Sequence, residues 1–207
     1  MMKETLKLHN ISGVILAGGA SRRLNGMIKA KIVIDGRTII SRIIDTMNEL
    51  FAEIIIVTNT PDEFKDYNNY KIIGDEFLNK GPLGGIHSAM ISSSSDAMFI
   101  VAGDMPLLDK NIIASQIEYF NDNNYDVVIP GINHLNEPLH GIYKKSLLRN
   151  LEEYLKIESD NSILAFLNKS NTGYLQYEES EKTRRAFFNI NSPADITILK
   201  KMLDPTR

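Results

Sequence analysis

The stretch ISGVILAGGASRRLNGMIKAK, residues 11–31, runs from an apolar segment through two glycines into a small, basic segment. Val14, Ile15 and Leu16 read as a buried strand. Gly18 and Gly19 leave it without side chains that would block a close approach, and Arg22, Arg23, Lys29 and Lys31 follow. Polyphosphate binding needs this pairing of accessible backbone N–H groups with fixed positive charge. The stretch is not a P-loop, which requires Gly-Lys before Ser or Thr, because Lys29 stands between Ile28 and Ala30. Nor is it a dinucleotide fingerprint, since its glycines are adjacent. It reads as a third type of nucleotide loop, with Arg and Lys neutralising much of the charge.

Outward from this loop, apolar β-rich runs alternate with helical stretches. The periodicity predicts strands at Ile11–Leu16, Glu53–Asn59, Lys71–Gly74, Ala97–Ala102, Asp126–Pro130, Gly141–Tyr143 and Ala186–Ile190. It predicts helices at Thr38–Phe51, Pro82–Ser92, Asn111–Asn121, Ser146–Leu155, Ser162–Leu167 and Pro193–Leu203. Strands that are apolar throughout, alternating with helices, indicate a mainly parallel sheet covered on both faces. The expected architecture is α/β: one Rossmann-like, three-layer domain over residues 1–207, with its core at about residues 11–203. The polar segment Ser159–Ser180 reads as the least regular part.

Open α/β sheets bind ligands at the carboxyl ends of their strands. Gly18 and Gly19, Thr58 and Asn59, Asp75, and Gly103 to Met105 all follow predicted strands, so they should share one rim. Asp104, in GDMP, is positioned to hold a hard cation, which takes one or two carboxylates plus substrate phosphates; a turn aspartate is the plainer reading. Asp75 has the same placement and the same alternative. Gly81-Pro82-Leu83-Gly84-Gly85 opens a helix whose positive end could face an anion. His140, beside Gly141 near a polar loop, could touch a ligand, whereas His87 reads as packed on its helix. In FNINSPADI, residues 188–196, Ser192, Pro193 and Asp195 make a helix start. Asn189 and Asn191 are left over, alternating to one side of a strand end, where paired amides could read a heterocycle.

Composition narrows the function classes. A net charge of −3 and a pI of about 5.8 argue against nucleic acid as a partner, so the basic segment suits a small anion. The chain has no cysteine, which excludes disulfides, thiolate metal sites and a Cys nucleophile. No signal-peptide core and no long apolar run are visible, and a cytoplasmic protein with no membrane partner is expected.

These residues, taken together, resemble the molybdenum cofactor guanylyltransferases (the MobA family), within the wider nucleotidyltransferase fold shared with nucleotide-diphospho-sugar transferases. The likeness runs from about Ile11 to Leu203, through LAGGASRRLNGMIK, VTN, IIGDEF, GPLGGI, GDMP, EPLHGIY and FNINSPADI in that order. It implies transfer of GMP from GTP to molybdopterin, with Mg²⁺ and release of pyrophosphate. It also implies that the backbone of Leu16, Ala17 and Gly18 holds the nucleotide and that Gly19 provides turn clearance. Lys29, Asn59, Asp75 and Asp104 would bind GTP, Asp104 would ligate Mg²⁺, and Gly84 would border the guanine. Lys29, Arg23 and Asp104 would form the catalytic set. Asn189, Asn191 and His140 would lie toward the pterin. A molybdoenzyme or cofactor-handling protein would receive the product.

The chain departs from the family pattern at several places. Ile28 replaces an Asp before the Lys, Asn25 replaces a Gly, Lys31 replaces an apolar residue, and Thr38 stands where Pro is common. A molybdopterin cytidylyltransferase is disfavoured by LAGG and DMP, where that sister group shows LAAG and DQP. A sugar-phosphate nucleotidyltransferase and a GTP-binding homologue without catalysis remain as alternatives, the last resting on Ile28.

Overall fold

A computed structural model describes residues 8–18, 26–157 and 161–204. Its centre is an eight-stranded sheet in the order β10-β7-β9-β6-β1-β4-β5, with β8 paired to β7. The strands are β1 (Ile11–Leu16), β4 (Ile54–Val57), β5 (Lys71–Ile73), β6 (Ala97–Ala102), β7 (Val127–Ile132), β8 (Leu135–Asn136), β9 (His140–Lys144) and β10 (Thr172–Tyr177). A small hairpin, β2 (Val33–Ile34) with β3 (Arg37–Thr38), stands apart. Pairing is parallel from β6 through β1 and β4 to β5, and again between β7 and β10. β9 runs antiparallel between β6 and β7. The carboxyl ends of β1, β4, β5 and β6 therefore form one rim. β9 enters the sheet from that rim, so the residues just before it lie there too.

Strand alternation sends side chains to two separate cores. Ile15, Ile56, Phe99 and Val101 face one side, and Val14, Ile55, Val57 and Ile100 face the other. On the first face lie α1 (Ile39–Leu50), α3 (Lys110–Asp122), α6 (Glu181–Ala186) and α7 (Pro193–Leu203). On the second lie α2 (Pro82–Ser92), α4 (Leu148–Ile157) and α5 (Ile163–Leu167). The apolar stripe of α1, with Ile39, Ile40, Ile43, Ile44 and Met47 buried, shows the period that marked it as a helix. Thr38 caps that helix, its Oγ1 accepting from Ser41 N at 3.2 Å, where a proline would have offered no such oxygen. Among the described residues no helix is long and apolar enough to cross a membrane.

Two expectations are corrected. Ala186–Ile190 is not a strand: Ala186 ends α6, which the Ser180 capping box starts, and the next residues cross the rim without regular structure. Ala186, Phe187 and Ile190 are buried at spacings of one and three residues, a pattern a short apolar run shares between helix end and strand. The segment Ser159–Ser180, read as least regular, contains β10, which pairs in parallel with β7 from Thr172 to Tyr177. Its polar residues belong to a sheet edge, where one side meets solvent.

Candidate active site at the strand-end rim

Gly103 follows β6 at a place where a side chain would be tightly crowded. A Cβ there would lie 3.0 Å from Leu16 O and 3.2 Å from Ala30 Cβ. Gly103 N donates to Leu16 O at 2.9 Å, tying the end of β6 to the end of β1. Ala30, buried, sits on this junction inside a single 3-10 turn, Lys29–Lys31. The turn holds Lys29 directly over Asp104, with Nζ 2.8 Å from Oδ2. From the other side Ile190 N donates to Asp104 O at 3.0 Å, which sets the following residue beside the same lysine. Asn191 Oδ1 then accepts from Lys29 Nζ at 2.7 Å.

Lys29, Asp104 and Asn191 thus come together from distant parts of the chain. Ile28, the departure from the family pattern, is partly buried against the core. Lys29 is held without a carboxylate at position 28. Asp104 Oδ1 is buried and has no hydrogen-bond partner among the described residues. An orphan carboxylate oxygen beside an open rim fits a hard cation completed by phosphate oxygens.

A second cluster lies at the ends of β4 and β5. Asn59 Nδ2 donates to Asp75 Oδ2 at 2.8 Å, and Asp75 N donates to Asn59 Oδ1 at 2.9 Å. This reciprocal clasp holds the Asp75 carboxylate against the first turn of α2. Cβ atoms placed on Gly84 and Gly85 would lie 3.7 and 3.5 Å from its oxygens. Gly84 admits no side chain, because a Cβ there would meet Phe77 O at 2.6 Å. Glu76 N donates to Ser88 Oγ at 2.7 Å and completes the seam. The positive end of α2 therefore already faces a carboxylate. Leu16 separates the two clusters, its side chain resting on Gly85.

Of the remaining expected site residues, Ala17 is buried and Gly18 exposed at the end of β1. Gly19, Arg22 and Arg23 lie outside the described residues. Lys31 turns away from Asp104, toward Glu63 Oε2 at 3.7 Å and the ring of Phe64. His87 is buried with its ring edge-on to Phe77, and burial lowers its pKa.

His140 is a correction. It is the first residue of β9 and fully buried, its ring edge-on to both Phe99 and Phe187, with Gln116 Nε2 3.3 Å from Nδ1. Burial pushes its pKa down to about 4. It is a core side chain, set inside the sheet rather than on the rim. Asn189 and Asn191 are corrected in part: with no strand there, they do not share a side by alternation. Asn191 engages Lys29, whereas Asn189 Nδ2 donates to Phe187 O at 3.1 Å.

Glu137 was passed over in the sequence. It lies three residues before His140, and its backbone is pinned at the rim: Glu137 N donates to Pro130 O at 2.9 Å and His140 N to Glu137 O at 3.1 Å. Burial raises its pKa, the neighbouring Asn189 amide opposes that rise, and the nearby charge of Asp104 adds to it. The available signal was position: in EPLHGIY the polar residue before the strand, rather than the histidine inside it, falls on the rim.

The chain is similar to several known proteins. The MobA-like NTP transferase domain matches residues 13–172. A probable molybdenum cofactor guanylyltransferase of Natranaerobius thermophilus is 34% identical over 206 residues, covering 95% of this chain and 98% of that protein. A molybdenum cofactor guanylyltransferase of Desulfosudis oleivorans is 35% identical over 193 residues, covering 90% and 92%. Among solved structures, the molybdopterin-guanine dinucleotide biosynthesis protein A of Archaeoglobus fulgidus superposes with a TM-score of 0.79 at 22% identity, over 94% of this chain and 99% of its own, a likeness of fold.

Proposed function

The chain belongs to the MobA-like NTP transferase family, among its molybdenum cofactor guanylyltransferases, and from that premise we propose how it transfers GMP from GTP to the terminal phosphate of molybdopterin. An acceptor phosphate oxygen attacks the α-phosphorus of GTP. A new P–O–P linkage forms, the bond from the α-phosphorus to the bridging oxygen breaks, and pyrophosphate leaves with the electron pair. The nucleophile is already anionic, so no strong base is required. The barrier lies in bringing anions together and in placing charge on the leaving group.

The single observation that carries this reading is the Lys29–Asp104–Asn191 cluster at the joined ends of β1 and β6. Lys29 supplies fixed positive charge to the phosphates. Asp104, through its unpartnered Oδ1, would hold Mg²⁺, which when bound neutralises the phosphates and the departing pyrophosphate. The backbone at Leu16, Ala17 and Gly18 borders the nucleotide, and the Asn59–Asp75 clasp against Gly84 lines the donor side. Asn191 connects the lysine to the acceptor side. Gly19 and Arg23 are assigned to the same loop from sequence alone.

The test is pyrophosphate release with GTP, CTP and ATP, each with molybdopterin and Mg²⁺. GTP-selective release is expected, and Asp104→Ala is expected to abolish it while leaving the fold intact. Selective release with CTP, no release from folded protein with verified acceptor, or near-normal Mg²⁺-dependent activity of Asp104→Ala would overturn the assignment.

A further inference from the structure

Two carboxylates stand on this rim at opposite flanks of the Lys29–Asp104 pair. Asp75 follows β5, and Glu137 precedes β9. In the sheet order, β9 and β5 are four strand steps apart. Neighbouring strands lie about 4.8 Å apart, so roughly 19 Å separates the two positions. One bicyclic ring cannot reach both. Asp104, at the end of β6, lies between them, where donor and acceptor phosphates would meet.

The chemistry of the Glu137 position is that of a reader. Its backbone is fixed by Pro130 O and His140 N, and Pro138 O accepts from Tyr143 Oη at 2.7 Å. The next residue, Leu139, is tied to the end of β6 through Ala102 N, 3.0 Å from Leu139 O. The carboxylate is half-buried, and the Asn189 side chain favours its charged form. A carboxylate accepts only, with several lone-pair sites on two oxygens, and pairs best with two parallel N–H groups. A 2-amino-4-oxopyrimidine edge offers that pair, its ring N3–H and its 2-amino group. Asn189 would hold the carboxylate in plane, and burial would make the ring's donors count for more than they do in water.

Resting on the reading that the acceptor is a pterin, we propose that Glu137 is the specificity residue for the acceptor ring, taking its N3–H and 2-amino hydrogens on the β9 flank while GTP occupies the β5 flank. Phosphates from both sides then converge on Lys29 and Asp104. The signature is an exchange of preference: a Gln at 137 presents one acceptor and one donor, which matches a 2,4-dioxo (lumazine) ring and mismatches a 2-amino one.

The test uses the intrinsic fluorescence of 6-hydroxymethylpterin phosphate and of the matching lumazine phosphate, titrated with the full chain. Wild type is expected to prefer the pterin at least tenfold, about the worth of one hydrogen bond to a charged group. Glu137→Gln is expected to lose at least tenfold for the pterin and to bind the lumazine as well or better. Glu137→Asp should keep the wild-type order with weaker binding. GTP affinity should be the same in all three. No preference in wild type, no binding of either ring, or the same preference in Glu137→Gln would overturn the proposal; the last would reduce Glu137 to holding Asn189 in place. Failure of GTP-dependent pyrophosphate release is a separate outcome, bearing on the reaction, because ring preference is read from binding alone.

Discussion

Lys29 Nζ lies 2.8 Å from Asp104 Oδ2, a pair assembled across 75 residues. Both side chains are mostly buried, at 20% and 18% exposure, yet each still reaches the rim. The pair therefore presents a placed cation and a placed carboxylate to one ligand. Lys29→Met is expected to lower GTP-dependent pyrophosphate release by about 10²–10³-fold, the usual loss when one placed charge-stabilising group is removed. Its thermal midpoint should stay near that of wild type, because Asp104 can still be hydrated. Steady-state kinetics beside a melting curve check this, and a large fall in the midpoint would instead make the pair structural.

Position 28 offers a second test. A carboxylate before the lysine is part of the family pattern, but here Ile28 packs against the core and Lys29 is anchored by Asp104 and Asn191. Ile28→Asp should therefore give no gain in turnover. It should cost about 1–3 kcal/mol of unfolding free energy, since a charge replaces an apolar side chain at a partly buried place. Urea denaturation and turnover on the same sample decide it; increased turnover would mean that Lys29 is poorly held in this chain.

Gly84 and Gly18 should respond oppositely to the same methyl group. At Gly84 the added Cβ would meet Phe77 O at 2.6 Å, so α2 must move away from the Asp75 loop. Gly84→Ala should lose about 1–3 kcal/mol of stability through overpacking and weaken GTP binding as the clasp shifts. At Gly18 a Cβ meets nothing within 4 Å among the described residues. Gly18→Ala should fold as wild type, so any loss of GTP affinity there reports a close approach by the ligand itself. Denaturation curves and calorimetric GTP titrations separate the two cases.

How much of this was legible in the sequence depended on the range of the interaction that decides it. The short apolar runs of β1, β4 and β6 are bounded by polar or glycine residues, which reads as strands covered on both faces, and the rim follows from their ends. The helix start at Ser192 was legible because capping is local: Asn191 N and Ser192 N both donate to Asp195 Oδ2, at 2.8 and 2.7 Å. The partnership of Lys29 with Asn191 spans 162 residues, and no spacing rule reports it. His140 misled because a histidine beside glycine reads as a loop side chain, whereas β9 enters the sheet at that residue and turns it between Phe99 and Phe187. Ala186–Ile190 misled for a different reason: five residues are too few to separate a helix end from a strand.

The burial of His140 carries a pH dependence of stability. Its folded pKa is pushed down to about 4, because an imidazolium enclosed by Phe99 and Phe187 would lose its hydration without gaining an anionic partner. The unfolded chain returns the ring to its ordinary value near 6.5. Between those values the unfolded state binds more protons than the folded one, so stability rises with pH across that window. The contribution of His140 is complete above about pH 6.5 and is withdrawn as the pH falls toward 4, by roughly 3 kcal/mol in all at about 1.4 kcal/mol per pKa unit. Replacing the ring with one that cannot titrate isolates this term. His140→Phe leaves Gln116 without its ring partner and should cost about 1–3 kcal/mol at every pH. Its unfolding free energy should nevertheless vary less between pH 6.5 and 4 than that of wild type. Urea denaturation at half-unit intervals across that window measures both slopes, and equal slopes in the two proteins would show that His140 is protonated inside the fold.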